Sequence, residues 1–174
     1  YCANNFKCDY QFNAPFTAWD EVSSTVSYRD APKDKPFFYV WNTLLTHESR
    51  IWERSNQPLT VNPEDIIIPS YFPDITEVRN DIARKYSNIE AMDKKVGELM
   101  NQLEEDGLLE NTIIMFWSDH GGNLLRQKRA VGNSGLNVPL IIRYPNKMDA
   151  GKVDNRIVSL MDLGPTVLSL LNID

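Results

Sequence analysis

Cysteine and histidine are scarce, with two of each in 174 residues. Cys2 and Cys8 could join as a disulfide in an oxidising compartment or stand as free thiols; the sequence leaves both open. No apolar run is long enough to span a bilayer, and neither an initiator Met nor a signal peptide is seen. Positive charge is not in excess. A net charge of -6 argues against a general nucleic-acid binder. It leaves room for a local basic pocket facing an anion. There is no Gly-x-Gly-x-x-Gly, no Walker-type loop and no Gly-x-Ser-x-Gly elbow. Neither cysteine is followed by proline and arginine at short spacing, so the chain offers no evident nucleophile. Internal repeats and low-complexity tracts are also missing.

What is there suits one domain with a core: 42% hydrophobic and 24% charged residues. The chain opens at Tyr1 in the middle of what reads as a folded motif, so a piece of a longer protein is expected. Residues 1–35 read as polar, aromatic and irregular. Residues 36–45 read as a strand covered on both faces, from the run Phe37-Phe38-Tyr39-Val40-Trp41. Four prolines, Pro58, Pro63, Pro69 and Pro73, make 46–75 a long surface loop. Thr76 can cap a long helix whose apolar face is Val78, Ile82, Tyr86, Ile89, Val96, Leu99 and Leu103. Arg79, Lys85, Lys94 and Glu98 fall on its wet side, and Gly107 stops it. Strands are expected at 112–118, 138–143 and 157–160, with a Gly- and Arg-rich loop at 121–135. Asp162 can cap a last helix through Leu171, with Pro165 in its first turn. This order predicts an α/β fold with a largely parallel sheet flanked by helices.

The most telling stretch is Ile113-Ile114-Met115-Phe116-Trp117-Ser118-Asp119-His120-Gly121-Gly122. An apolar strand ends in an acid, an imidazole and two glycines. That aims two candidate metal ligands, Asp119 and His120, from the carboxyl end of a buried strand. The other histidine, His47, also follows an apolar strand. If both strands lie parallel in one sheet, both imidazoles open onto one edge, where His47 could transfer protons. Lys128 sits in the basic cluster Leu125-Arg126-Gln127-Lys128-Arg129, suited to holding a tetrahedral anion or to lying solvated on a loop. Lys7 carries no signal of its own.

Four stretches together resemble the type I sulfatases of the alkaline phosphatase superfamily. They are Asn111 to Gly121, Leu136-Asn137-Val138-Pro139-Leu140-Ile141-Ile142-Arg143-Tyr144-Pro145, Val158-Ser159-Leu160-Met161-Asp162-Leu163-Gly164-Pro165-Thr166, and the helical Tyr86-Ser87-Asn88-Ile89-Glu90-Ala91-Met92-Asp93-Lys94-Lys95-Val96-Gly97. Order and spacing agree over nearly the whole chain. The resemblance implies an alkaline-phosphatase-like fold, incomplete at the N-terminus, with 1–174 forming part of one catalytic domain. It makes Asp119 and His120 metal ligands, His47 the acid that protonates the leaving group, and Lys128 and Lys7 the lysines on the sulfate. Asp9 stands where the family more often has a histidine.

The implied metal is Ca2+, although the imidazole of His120 would also suit Mn2+ or Zn2+. The implied nucleophile is a formylglycine in a Cys- or Ser-x-Pro-x-Arg motif upstream of Tyr1. The chain alone is then expected to be inactive. The substrate would be a sulfate ester or N-sulfate on a glycan, as in relatives of N-sulfoglucosamine sulfohydrolase. The protein would be periplasmic or secreted. Open sheet edges would allow pairing with a missing chain or a homo-oligomer. The rival readings are a phosphodiesterase or phosphonate hydrolase of the same superfamily, and a non-catalytic glycan-binding module.

Overall fold

Cys-Ala-Asn carries no strand signal, yet it forms the middle of a parallel sheet. In the computed structural model, which describes residues 1–13 and 15–173, β1 (Cys2–Asn4) lies between β2 (Glu21–Val22) and β3 (Phe38–Val40). Both neighbours run parallel to it. Ala3 is fully buried at the centre, and its small side chain suits a crowded position. Tyr28 is also buried and meets the Phe37 ring at 5.2 Å. Residues 1–13 and 15–35 are therefore more ordered than their composition predicts. The strand expected at 36–45 shrinks to three residues.

The 46–75 segment is a surface loop, as expected, with one short helix, α1 (Arg50–Glu53), and a 3-10 turn at Pro63–Asp65. The long helix α2 (Thr76–Glu105) begins one residue earlier than a Thr76 cap would place it, because Ile75 occupies the cap position. Its end is a Schellman arrangement. Gly107 has φ +69°, its N–H donates to Glu104 O at 2.9 Å, and Leu108 N–H donates to Leu103 O at 2.8 Å.

The buried face of α2 differs from the expected stripe. Ile82 and Leu103 are buried, but so are Ala83, Arg84, Ser87 and Asn88, while Tyr86 is 45% exposed. The polar members serve the loop. Ser87 Oγ accepts from Thr60 N and Val61 N at 3.0 and 3.3 Å, so loop amides are satisfied by the helix surface. Ile66, Ile82 and Ala83 form an apolar cluster on which Leu59, Val61 and Leu124 pack.

β4 (Ile114–Trp117) does not join the parallel sheet. It pairs antiparallel with β5 (Leu140–Arg143) in a separate two-stranded ribbon. A parallel return needs a long crossover, usually a helix. Between these strands the only helix is α3 (Asn133–Leu136), a single turn. The α/β class stands, with a smaller parallel sheet than expected. Residues 157–160 form no strand either. Ser159 there caps a 3-10 turn, Leu160–Asp162. Asp162 accepts from Ser159 N at 2.9 Å rather than capping α4 (Leu163–Leu170) with its side chain. Among the described residues, no helix is long and apolar enough to cross a membrane.

Candidate active site

Because β1 and β3 are parallel neighbours in register Asn4↔Val40, their carboxyl ends leave the sheet at one rim. Lys7 follows β1 and His47 follows β3; the expected parallel pair behind His47 and His120 is not formed, because β4 lies in the other sheet. An asparagine lattice fixes the exits. Asn42 Nδ2 donates to Asn4 Oδ1 at 3.0 Å, and Asn5 Oδ1 accepts from Asn42 N at 2.6 Å. Asn4 Nδ2 donates to Lys7 O at 2.8 Å and to Cys8 Sγ at 3.2 Å. Asn4 and Asn5 are both buried, so each lost bond would cost about 1–3 kcal/mol. Cys2 and Cys8 are free thiols.

β4 arrives from the other ribbon and ends against this rim. Lys7 Nζ lies 3.0 Å from Asp119 Oδ2, and His120 Nε2 lies 3.7 Å from the same oxygen. Burial pushes the Asp119 carboxyl up. The Lys7 hydrogen bond and charge, with a smaller pull from His120, more than offset this and hold it below the usual carboxylate range. His120 Nδ1 sits 2.7 Å from Gly121 O. A carbonyl can only accept, so a proton is assigned to Nδ1.

The second half of the site is His47 with Lys128, whose Nζ and Nε2 atoms are 3.2 Å apart. Ser49 N–H approaches Nδ1 at 3.3 Å. The Ser49 hydroxyl also lies 3.2 Å from Nδ1 and can accept from it. Nδ1 can therefore take the Ser49 N–H or give a proton to the Ser49 hydroxyl, and Lys128 can donate to a bare Nε2 or to Glu48 Oε1 at 3.2 Å. Among the described residues, no hydrogen bond or ion pair joins Lys7 to Lys128 or His47 to Asp119. The halves meet through the loop, where Lys128 N donates to Gly122 O at 2.8 Å and Asn123 Nδ2 to Thr46 O at 3.4 Å.

Several supports escaped the sequence. Glu48 accepts from Arg129 at 2.7 and 2.9 Å and from Lys128, so adjacent residues on each segment pair. Alternating Glu48 beside His47 and Arg129 beside Lys128 was the available signal. Lys85, expected on the wet side of α2, instead reaches under the loop and donates to Gln127 Oε1 at 2.9 Å. Phe6, Arg126 and Arg129 have φ of 133°, 62° and 65°, so both loops hold non-glycine residues in costly backbone.

The clamp sets a pH test. The Arg129 and Lys128 hydrogen bonds draw the Glu48 carboxyl down from 4.5 to about 2. A depressed carboxyl stabilises the fold above its unfolded value. That contribution is complete above 4.5 and is lost as pH falls through about 2. A carbon-13 titration of the Glu48 carboxyl should have its midpoint near 2. A midpoint near 4.5 would mean the clamp is absent in solution.

A family profile described as Sulfatase matches residues 10–173, and the chain belongs to that family. It is 40% identical over 206 aligned positions to an ulvan-active sulfatase of Formosa agariphila, covering 98% of this chain and 35% of that protein. Human N-sulphoglucosamine sulphohydrolase is 31% identical over 117 positions, 67% of this chain and 23% of that enzyme. An N-acetylglucosamine-6-O-sulfatase of Bacteroides thetaiotaomicron is 38% identical over 88 positions, 48% of this chain and 16% of that protein. The chain thus spans about a third or less of the length of these relatives.

The family's metal ion has partial accommodation here. The Asp119 carboxylate and the His120 imidazole are adjacent groups of suitable chemistry, and two donors are fewer than a divalent ion's usual shell. Among the described residues, no group of three or more His, Cys, Asp or Glu could hold a metal.

Proposed function

We propose that these residues form part of the active site of a sulfuric ester hydrolase acting on a sulfated glycan. The observation that carries this is the 3.2 Å approach of Lys128 Nζ to His47 Nε2 beside the Lys7–Asp119–His120 group. Three basic side chains at one rim, in a chain of net charge -6, favour a compact oxyanion. Lys128 holds sulfate oxygens as a point charge, and Lys7 does so from the other side. His47, as the imidazolium with its Nδ1–H on the Ser49 hydroxyl, donates the Nε2 proton to the departing alcohol or amine and is left neutral. Glu48 keeps Lys128 oriented, and the asparagine lattice keeps Lys7 at the rim.

Asp119 and His120 are the residues that would hold a divalent ion, with Ca2+ first and Mn2+ or Zn2+ as the imidazole-tolerant alternatives. When bound, the ion would add positive charge against the sulfate oxygens. The nucleophile, a formylglycine by resemblance, is not among these 174 residues. We place 1–174 within one catalytic domain and the protein in the periplasm or outside the cell. The relatives, two sulfatases and a sulphohydrolase, favour sulfate over phosphate as the group cleaved.

The test is binding of a sulfated oligosaccharide to this chain, read by amide shifts. Resonances of His47 and of the 121–129 loop should move. Lys128→Ala should weaken binding about tenfold, the worth of one charge-assisted hydrogen bond. Equal binding by the wild-type and Lys128→Ala chains would refute the site. A parallel titration with Ca2+ should show Asp119→Asn losing most of the affinity, since half the donor pair is gone.

A further inference from the structure

A recess of about 500 Å³ opens between the middle of α2 and the loop that follows α1. It shares no lining residue with the site of His47, Lys128, Lys7, Asp119 and His120. Three cations border it: Arg54 from the loop, and Arg84 and Lys94 from α2. Positions 84, 87, 91 and 94 recur at three and four residues, so one helix face forms the wall.

The two arginines have different tasks. Arg84 is buried, and its guanidinium donates to Pro58 O at 3.2 Å, to Ser55 O at 3.4 Å and to Gln57 O. It shapes the loop. Arg54 is held by one bond, from Nε to Asn88 Oδ1 at 2.8 Å. Asn88 is itself fully buried and donates to Arg50 O at 3.3 Å. The anchor leaves both terminal nitrogens of Arg54 without a partner among the described residues. Lys94 is equally unpartnered there, and none of the three cations forms an ion pair with a carboxylate.

Burial first, and the nearby charge of Arg54 second, lower the Arg84 pKa. Like charges have thus been brought together in a chain with 24 acidic residues. The recess also carries the Glu90 carboxylate and the Thr60 hydroxyl, beside the apolar Pro58 and Ala91. A bare oxyanion would gain nothing from Glu90. A hydroxylated anion would use it as an acceptor, and the volume is in the range of small-ligand pockets.

We propose that this recess binds an anionic sugar unit, with its sulfate or carboxylate between Arg54 and Lys94 and its ring hydroxyls on Glu90. The assignment is independent of hydrolysis at the rim.

Four probes test it on the full chain by amide shifts: glucose 6-sulfate, glucuronate, glucose and inorganic sulfate. The first two should move Thr60, Ala91 and Lys94. Whichever of them binds more tightly identifies the anion. Glucose should not bind, and inorganic sulfate should bind at least several-fold more weakly. Arg54→Gln and Lys94→Gln should each weaken binding about tenfold, whereas Lys128→Ala should leave these shifts unchanged. Lys94 is exposed, so its variant keeps the fold even if Arg54→Gln does not. Absence of binding by both anionic sugars would overturn the proposal. So would undiminished affinity in Lys94→Gln, equal affinity for glucose, or equal affinity for inorganic sulfate.

Discussion

Alanine at Gly135 is expected to unseat the loop that carries Lys128. A Cβ there would run into Ala130 O and lie 2.6 Å from Gln127 O, both backbone atoms. Gly121 is its counterpart: a Cβ there would strike Ser134 O and lie 2.7 Å from Gly135 Cα. The two glycines are joined, Gly121 N–H donating to Gly135 O at 2.8 Å. Backbone cannot swing aside as a side-chain tip can, so the loop itself must move. The cost is about 3 kcal/mol, the upper end for overpacking. In a domain of this size that lowers Tm by roughly 6–12 °C.

The effect should also reach the site. Arg129 would leave Glu48, and the Glu48 carboxyl would then titrate closer to 4.5. Gly97→Ala is the internal control. Nothing lies within 4 Å of its Cβ position, inside α2. It should stabilise the chain by roughly 0.5–1 kcal/mol, because alanine is the better helix former. Thermal melts of the two variants should shift in opposite directions. A Gly135→Ala melt matching the unmodified chain would show that the loop is not packed this way.

The second large effect concerns His47. In a protein that includes the nucleophile-bearing segment, His47→Ala should lower turnover of a sulfated sugar by about 10²–10⁴-fold, the usual worth of a general acid. An aryl sulfate with a strongly acidic phenol needs little protonation as it leaves. Its turnover should fall far less. That contrast separates proton donation from mere support, since a collapsed loop would slow both substrates alike. The Ser49 hydroxyl, 3.2 Å from Nδ1, can hold the other ring proton while Nε2 gives up its own. Equal losses on the two substrates would remove His47 as the acid.

The candidate site was more legible in the sequence than the sheet that supports it. Asp119 and His120 were conspicuous because an apolar strand stopped at them. His47 was conspicuous because it was one of only two histidines. Lys7 had no pattern of its own; resemblance alone singled it out, and its 3.0 Å pairing with Asp119 depends on chain segments 112 positions apart. β1 was invisible for a physical reason. A central strand with a single buried alanine has no alternating run to display.

The pairing of the sheet is not legible in the sequence because apolar runs do not encode their partners. Phe116 and Ile141 sit opposite one another in an antiparallel pair, and their sequences would suit a parallel one equally well. Lys85 was misplaced for a related reason. Helical periodicity put it on the wet face, but the loop carrying Gln127 returns over that face and covers it.

The central claim is that His47, Lys128, Lys7, Asp119 and His120 act on a single oxyanion. A crystal structure of the protein soaked with a sulfated sugar and Ca2+ is the most direct measurement. The sulfate should lie within hydrogen-bonding distance of both Lys128 Nζ and His47 Nε2, with the cation on Asp119 and His120. A sulfate seated away from Lys128 and His47, with the cation elsewhere, would contradict the account.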